Sequence, residues 1–404
     1  MQIDKNKIYT ACGNIIEYGF YLMLFAVAFS NSIVEITAVA VISAWILRSI
    51  IGRDYKWVKL PPVIMLLAYL LWVVLSCFNS EYPGESFRGV FKAVEYSLLF
   101  LAMATFRWPG GSERRFVKVL SAAVGVFCLN GFYQYFSGTG LIRGRTLIRN
   151  DYLRRVSSSF VHPNDFGAWL IVALIVLISV LMVRRRRVYK ALAAFLASIT
   201  ALTALYLTKS RGAWLSFTAG FLVLGGLKAR KVLAVFVLLF ALVAVFLPHS
   251  VQDRFSGMMD VKSGTTWERL MLWKGALKMI KERPFLGFGV NTYSRNFPDY
   301  KPPDYPDVRY SHNCYLHMAS EIGVPGALFF ISFVLTVLIT AGRRLRRMRD
   351  KEARAVTAGL VAGLTAFALN SSVDTHLYSL TLAVYFHILM GFCYSLSRRS
   401  EKIE

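Results

Sequence analysis

Apolar residues in this chain fall in runs about as long as a bilayer core is thick, parted by short charged clusters. Twelve such runs read as membrane-spanning helices, at residues 13–30, 32–50, 61–78, 87–106, 116–136, 165–183, 190–208, 212–227, 232–248, 318–341, 355–373 and 376–396. The pattern breaks once, between spans nine and ten, where a polar connection covers residues 249–317. The expected fold is all-α and polytopic: a single membrane domain over residues 1–404 with one large loop. Within that loop TTWERLMLWKGALKMIKERP predicts a helix, with Thr265 or Thr266 as cap, Glu268 in the first turn and Pro284 as the stop. Leu270, Trp273, Leu277 and Ile280 form its apolar stripe, and Arg269 lies one turn before Trp273 on the same side. A helix of this kind beside a bilayer is expected at the membrane interface.

Lysine and arginine orient the bundle. Taking alternate connections as cytoplasmic gathers more than half of the 47 basic residues into compact groups. These are Lys5 and Lys7, Arg48 to Lys59, Arg107 to Lys118, Arg184 to Lys190, Lys228 to Lys231, Arg343 to Arg354, and Arg398 to Lys402. Both termini are then expected in the cytoplasm and the large loop on the outer face. The remaining basic residues run against that rule. Arg143, Arg145, Arg149, Arg154 and Arg155 crowd the connection between spans five and six. Lys209 and Arg211 sit at the turn between spans seven and eight, and Arg254, Arg269, Arg283 and Arg309 lie in the large loop. Arg211 has almost no loop to solvate it. A charge at the bilayer centre costs about 2.5–3.5 kcal/mol, so it needs a partner, and an anion fits.

Composition agrees with the pattern: 56% hydrophobic, 17% charged, mean hydropathy +0.48. The formal charge of +24 would ordinarily point to nucleic acid. Basic clusters set between apolar spans cannot lie along a duplex, so topology and anionic membrane lipids account for them. The five cysteines form no CxxC and no pairable cluster. Cys314 adjoins His312, but a nucleophile and base so placed would point apart. The polar start MQIDKNKIY shows no cleavable signal.

Candidate chemistry gathers on the outer face. Tetrahedral zinc needs three or four ligands at close spacing, and His312 and His317 share no helix face. A metal-dependent sugar transferase needs clustered outer carboxylates, and no outer loop carries a paired acidic motif. No metal or other cofactor is expected. His312 is the best candidate for a general base, because imidazole titrates near neutrality. The alternative is a histidine that caps or packs the start of span ten. Asn313 could orient that ring or a substrate hydroxyl. His162, with Asn164 and Arg155 beside it, is a weaker candidate, and Asn164 or Asp165 could simply cap span six. Asp374 and His376, at the last outer turn, are of the same grade; His317 and His249 read as structural.

Four motifs in order carry a family resemblance: SFVHPNDFGAWL, KSRGAWL, ERLMLWKGALKMIKERPFLGFGVNTY, and His312-Asn313 followed by Gly323 and Gly326. Together they resemble the O-antigen ligase and polymerase superfamily over roughly residues 155–330. The resemblance implies a GT-C-type membrane glycosyltransferase acting on the periplasmic side of a bacterial inner membrane. It implies a glycan donor on undecaprenyl diphosphate and, for the ligases, a lipid A–core sugar as acceptor, with no metal. Carried over by motif, His312 corresponds to the base and Arg211 and Arg269 to diphosphate binders; Arg254 matches more loosely. The basic group Arg143 to Arg155 would suit a phosphorylated acceptor.

Rival readings share parts of this pattern. A polymerase would extend another lipid-linked glycan with the same donor. A protein O-oligosaccharyltransferase would use Ser or Thr, and the chain's end at Glu404, soon after the last span, weighs against the extra domain such enzymes carry. A transporter would place polar residues at mid-membrane in two related halves, whereas these lie on one face.

Overall fold

Helices that are apolar all round belong inside a bundle. That rule selects α6 (Pro163–Leu181) and α13 (Leu380–Ser397), whose residues are buried on nearly every side. The computed structural model describes residues 5–399 except 54, 56–57, 59, 151–152, 184–187, 229–263 and 302–307. Around the central pair stand α1 (Lys5–Ala26), α2 (Asn31–Gly52), α3 (Pro61–Ser76), α4 (Pro83–Thr105) and α5 (Ser112–Ser137). Next in the chain come α7 (Val188–Leu207), α8 (Arg211–Lys228), α9 (Gly264–Glu282) and α10 (Tyr293–Asn296). The long α11 (Cys314–Arg344) and α12 (Lys351–Asn370) precede α13. Seven described helices are long and apolar enough to cross a membrane: α2, α3, α5, α6, α11, α12 and α13. The chain is an all-α polytopic membrane protein, and large exposed side chains such as Ile36 on α2 and Leu71 on α3 suit contact with lipid.

Helices α1, α4, α7 and α8 occupy four further predicted spans in the same bundle. The predicted limits shift at several ends. Helix α1 begins at Lys5 rather than near residue 13, and α12 stops at Asn370. Helix α13 starts only at Leu380, because His376–Tyr378 forms a separate 3₁₀ turn. The ninth span at 232–248 lies outside the described residues, as do His249 and Arg254. One feature was not anticipated: a two-stranded antiparallel hairpin, β1 (Ile148–Asn150) with β2 (Leu153–Arg155), between α5 and α6.

The bundle has a basic end and a polar site end. At the first, Arg399 bonds to Glu113 at 2.8 Å and to the carbonyls of Trp108 and Pro109, while Arg114 pairs with Glu352. Three basic groups that the sequence assigns to one side therefore meet there. Asp350 caps α12 at this end through the Glu352 and Ala353 amides. The 20 residues of α12 then rise about 30 Å to Asn370 at the other end.

Helix α11 is kinked where its sequence reads EIGVPG. Gly323 adopts φ 75°, and a Cβ there would overlap the Phe285 carbonyl oxygen. Pro325 has no amide to donate. The carbonyls released at the kink accept from the segment after α9: Phe288 N to Ser320 O (3.1 Å) and Gly289 N to Glu321 O (2.8 Å). The Val324 amide returns a bond to Pro284 O (2.8 Å), and Trp72 Nε1 donates to Phe285 O (3.1 Å). The FLGFG and GVPG motifs are thus one joint, which fixes α9 against α11.

The buried face of α9 coincides only in part with the predicted stripe: Trp273 packs against a second core and Ile280 against the main one. Leu272, Ala276 and Met279 pack with Phe288, Tyr293 and Phe297 in that second core, while Leu277 is exposed. Residues after α9 fold back over that face, which a stripe read from the helix alone does not include. Leu270 and Trp273 lie on the neighbouring face with Arg269, toward α8.

Candidate functional site

Four chain segments converge at the site end: the start of α6, the start of α8, α9, and the turn between α12 and α13 beside the start of α11. Small residues permit the approach. A Cβ at Gly167 would touch Ala213, and one at Gly212 would press on Val373 and the Asn370 amide. Asn313 caps α11, its side-chain oxygen accepting from the Tyr315 and Leu316 amides at 3.0 and 3.1 Å. That oxygen is committed to the cap rather than to orienting His312. The Cys314 amide donates to Ser371 O at 2.8 Å, and Tyr315 Oη to Ala368 O at 2.8 Å. These bonds tie the start of α11 to the end of α12.

His312 stands just outside the cap in left-handed backbone, φ 50°. Such a conformation costs a non-glycine residue on the order of 1–3 kcal/mol and persists only where neighbours impose it. Its Nδ1 lies 3.0 Å from Asp374 Oδ1. The imidazole is 45% exposed and the carboxylate only 12%, so the ring can be reached while its partner is shielded. Burial alone would raise the Asp374 pKa. The His312 hydrogen bond and the electrostatic influence of His376, His312 and Arg269 more than reverse this, holding the carboxyl well below the usual carboxylate range. An ionised carboxylate only accepts, so His312 Nδ1 carries the proton and donates. In the neutral ring this puts the lone pair on Nε2, the geometry a general base requires.

Asp374 is the hub of a wider network. Its Oδ2 accepts from Asn164 Nδ2 at 2.6 Å and lies 3.7 Å from an Arg269 nitrogen, an ion pair rather than a hydrogen bond. Asn164 Oδ1 accepts from Arg155 Nη2 at 2.7 Å, and Arg155 Nε donates to Thr208 O at 3.0 Å. His376 is buried, with Nδ1 3.2 Å from Asp165 Oδ1 and Nε2 3.0 Å from Asn370 Nδ2. Neither Asn164 nor Asp165 caps α6 by its side chain. The cap residue is His162, acting through its carbonyl ahead of Pro163, with its ring exposed. Among the described residues no hydrogen bond joins the His162 ring to the network.

Arg211 and Arg269 line one cavity of about 390 Å³ between α8, α9 and the end of α12. That volume lies in the range of small-ligand pockets. Thr266, Ser216 and Ser372 add polar atoms, while Leu215, Ala219, Leu270, Trp273 and Leu369 make the rest of the wall apolar. His312 is not in this lining; Asp374 connects it to the cavity through Arg269. His317, read as structural, is buried with Nε2 3.3 Å from Glu321 Oε1, and Tyr378 Oη donates to Glu321 Oε2 at 3.2 Å. Among the described residues no group of three or more His, Cys, Asp or Glu side chains converges to hold a metal ion.

Sequence reasoning named His312, Arg211 and Arg269, and held Asp374, His376, Asn164 and Arg155 as lesser candidates. It did not foresee Asn370, Thr208 or Asp165 as their partners. The signal available was polarity: NSSVDTHLY is a dense polar turn between two apolar helices.

Residues 196–331 match the family model described as O-Antigen ligase. The matched stretch, 136 of the 404 residues, is what this chain has in common with that family. It spans Arg211, Arg269, His312 and the glycines of the α11 kink, and leaves Arg155, Asn164, Asp374 and His376 outside. No curated protein matches the chain.

Proposed function

We propose that this protein is a metal-independent, inverting glycosyltransferase that moves a glycan from undecaprenyl diphosphate onto a sugar of lipid A–core. The observation that carries the reading is Asp374, which holds His312 by one oxygen and faces Arg269 with the other. His312 Nε2 takes the proton of the acceptor hydroxyl as that oxygen attacks the anomeric carbon. The new glycosidic bond forms as the bond to the donor phosphate breaks, and undecaprenyl diphosphate departs with the electron pair. Arg211 and Arg269 receive its growing charge, and the first turn of α8 directs amide dipoles toward the same place. The cavity's apolar wall suits the first isoprene units of the lipid. Arg254, beyond the described residues, is a further diphosphate contact by motif alone.

By the positive-inside rule the basic end faces the cytoplasm, which places both termini there and His312 in the periplasm. The test is transfer by the reconstituted protein from purified lipid-linked donor. His312→Ala, shown to be folded, is expected to lose transfer by about 10²-fold or more; wild-type turnover would exclude His312 as base. Offering lipid A–core against a second lipid-linked glycan separates ligase from polymerase.

A further inference from the structure

The hairpin between α5 and α6 has a face that the proposed chemistry leaves unused. Its register sets Arg149 opposite Arg154 and Ile148 opposite Arg155. Side chains alternate along a strand, so Arg154 and Arg155 point to opposite faces. Arg155 turns inward to Thr208 O and Asn164. Arg149 and Arg154 are exposed on the other face, and Arg143, also exposed, precedes them in left-handed backbone. Among the described residues no carboxylate pairs with any of these three. The Arg154 guanidinium lies over the Tyr135 ring, 5.9 Å from its centroid.

Like charges directly opposite one another destabilise a strand pair, and a lone hairpin is marginal even without them. This one is held from outside. Gln134 Nε2 donates to Arg145 O at 2.9 Å, Leu147 N to Gly138 O at 2.7 Å, and Val156 N to Leu207 O at 3.1 Å. The fold therefore keeps Arg149 and Arg154 opposite each other, against their repulsion, at the end of the bundle that carries His312, with Arg143 exposed on the same connection. A phosphate-bearing ligand would relieve that repulsion, because guanidinium forks match phosphate oxygens.

We propose that Arg143, Arg149 and Arg154 bind the sugar phosphates of the acceptor glycolipid and so present its hydroxyl to His312. This rests on the transferase reading. The donor's diphosphate has Arg211 and Arg269 in the cavity, whereas the hairpin reaches Asp374 by a separate route, through Arg155 and Asn164. Two anionic substrates thus have two arginine groups, both linked to one carboxylate.

The experiment measures binding by the full chain in detergent micelles, with bisphosphorylated lipid A as the probe. Its monophosphorylated form and phosphatidylglycerol serve as comparisons. Bisphosphorylated lipid A is expected to bind more tightly than either, and Arg149→Gln with Arg154→Gln to weaken it about tenfold. Lysine at both positions is expected to recover part of that loss, and added salt to weaken the wild type more than the glutamine variant. Unchanged affinity in the double variant overturns the proposal. Equal binding of phosphatidylglycerol at equal phosphate overturns it too, assigning the face to bulk membrane lipid. If the double variant does not fold, Arg149→Gln alone carries the same comparison. Binding requires no transfer, so His312→Ala is expected to bind the probe as the wild type does. Loss of the base assignment and loss of this site are therefore distinguishable.

Discussion

His312 Nδ1 lies 3.0 Å from Asp374 Oδ1, although 62 residues of chain separate them. The contact is built by backbone on both sides: the Asn313 cap and the Cys314 amide on Ser371 O bring the two turns together. It engages one imidazole nitrogen and links that ring to Arg269 through a shared carboxylate.

Asp374→Asn tests the tautomer argument. The amide can donate to Nδ1, which would move the ring proton to Nε2 and remove the lone pair from the reacting side. Transfer is expected to fall by about 10²- to 10⁴-fold, with little change in acceptor KM. Steady-state kinetics of the reconstituted variant decide this, and a kcat near wild type would refute it.

Arg211→Lys and Arg269→Lys keep charge but lose the planar fork. Each is expected to lower kcat about tenfold or more, since one ammonium cannot hold two phosphate oxygens in line. Equal rates for lysine and arginine would defeat the bidentate role. The same assay in excess chelator is expected to keep its rate; a stop that magnesium restores would end the metal-free mechanism.

Gly323→Ala addresses the joint between α9 and α11. The new methyl would overlap the Phe285 carbonyl in backbone that favours glycine. A loss on the order of 3 kcal/mol is expected, read as a lower Tm in detergent. Gly342→Ala, where a Cβ meets open space, is the control and is expected to leave Tm nearly unchanged.

Acid stability carries a signature of Asp374. Its pKa is depressed in the folded protein, so its contribution is present above the unfolded carboxyl pKa of about 3.9 and is lost as pH falls below that. Thermal unfolding followed from pH 7 to pH 3 is expected to show a steeper acid-side loss for the wild type than for Asp374→Asn. Parallel curves would mean that the carboxylate is not held ionised by its neighbours.

Much of the fold was legible because its signals are local. The length of an apolar run and the clustering of lysine and arginine are properties of contiguous residues, and helices occupy each predicted span that lies within the described residues. The exceptions are also physical. The α9 stripe was only half right: Trp273 and Ile280 pack inward, but Phe288, Tyr293 and Phe297 fold back over Leu272, Ala276 and Met279, so chain beyond the helix chose which face is covered. The hairpin escaped notice because its strands are only three residues long.

The sequence by itself determined a polytopic helical bundle and nominated one histidine and two arginines, since residue type, spacing and flanking motif suffice for both. Only the tertiary structure decided what those residues have in common. Asn164 and Asp374 are 210 positions apart in the chain yet 2.6 Å apart in space. No periodicity or motif encodes such a pairing, because it depends on how closely Gly167 and Gly212 let three helix ends approach. That approach makes Asp374 the meeting point of imidazole, guanidinium and hairpin.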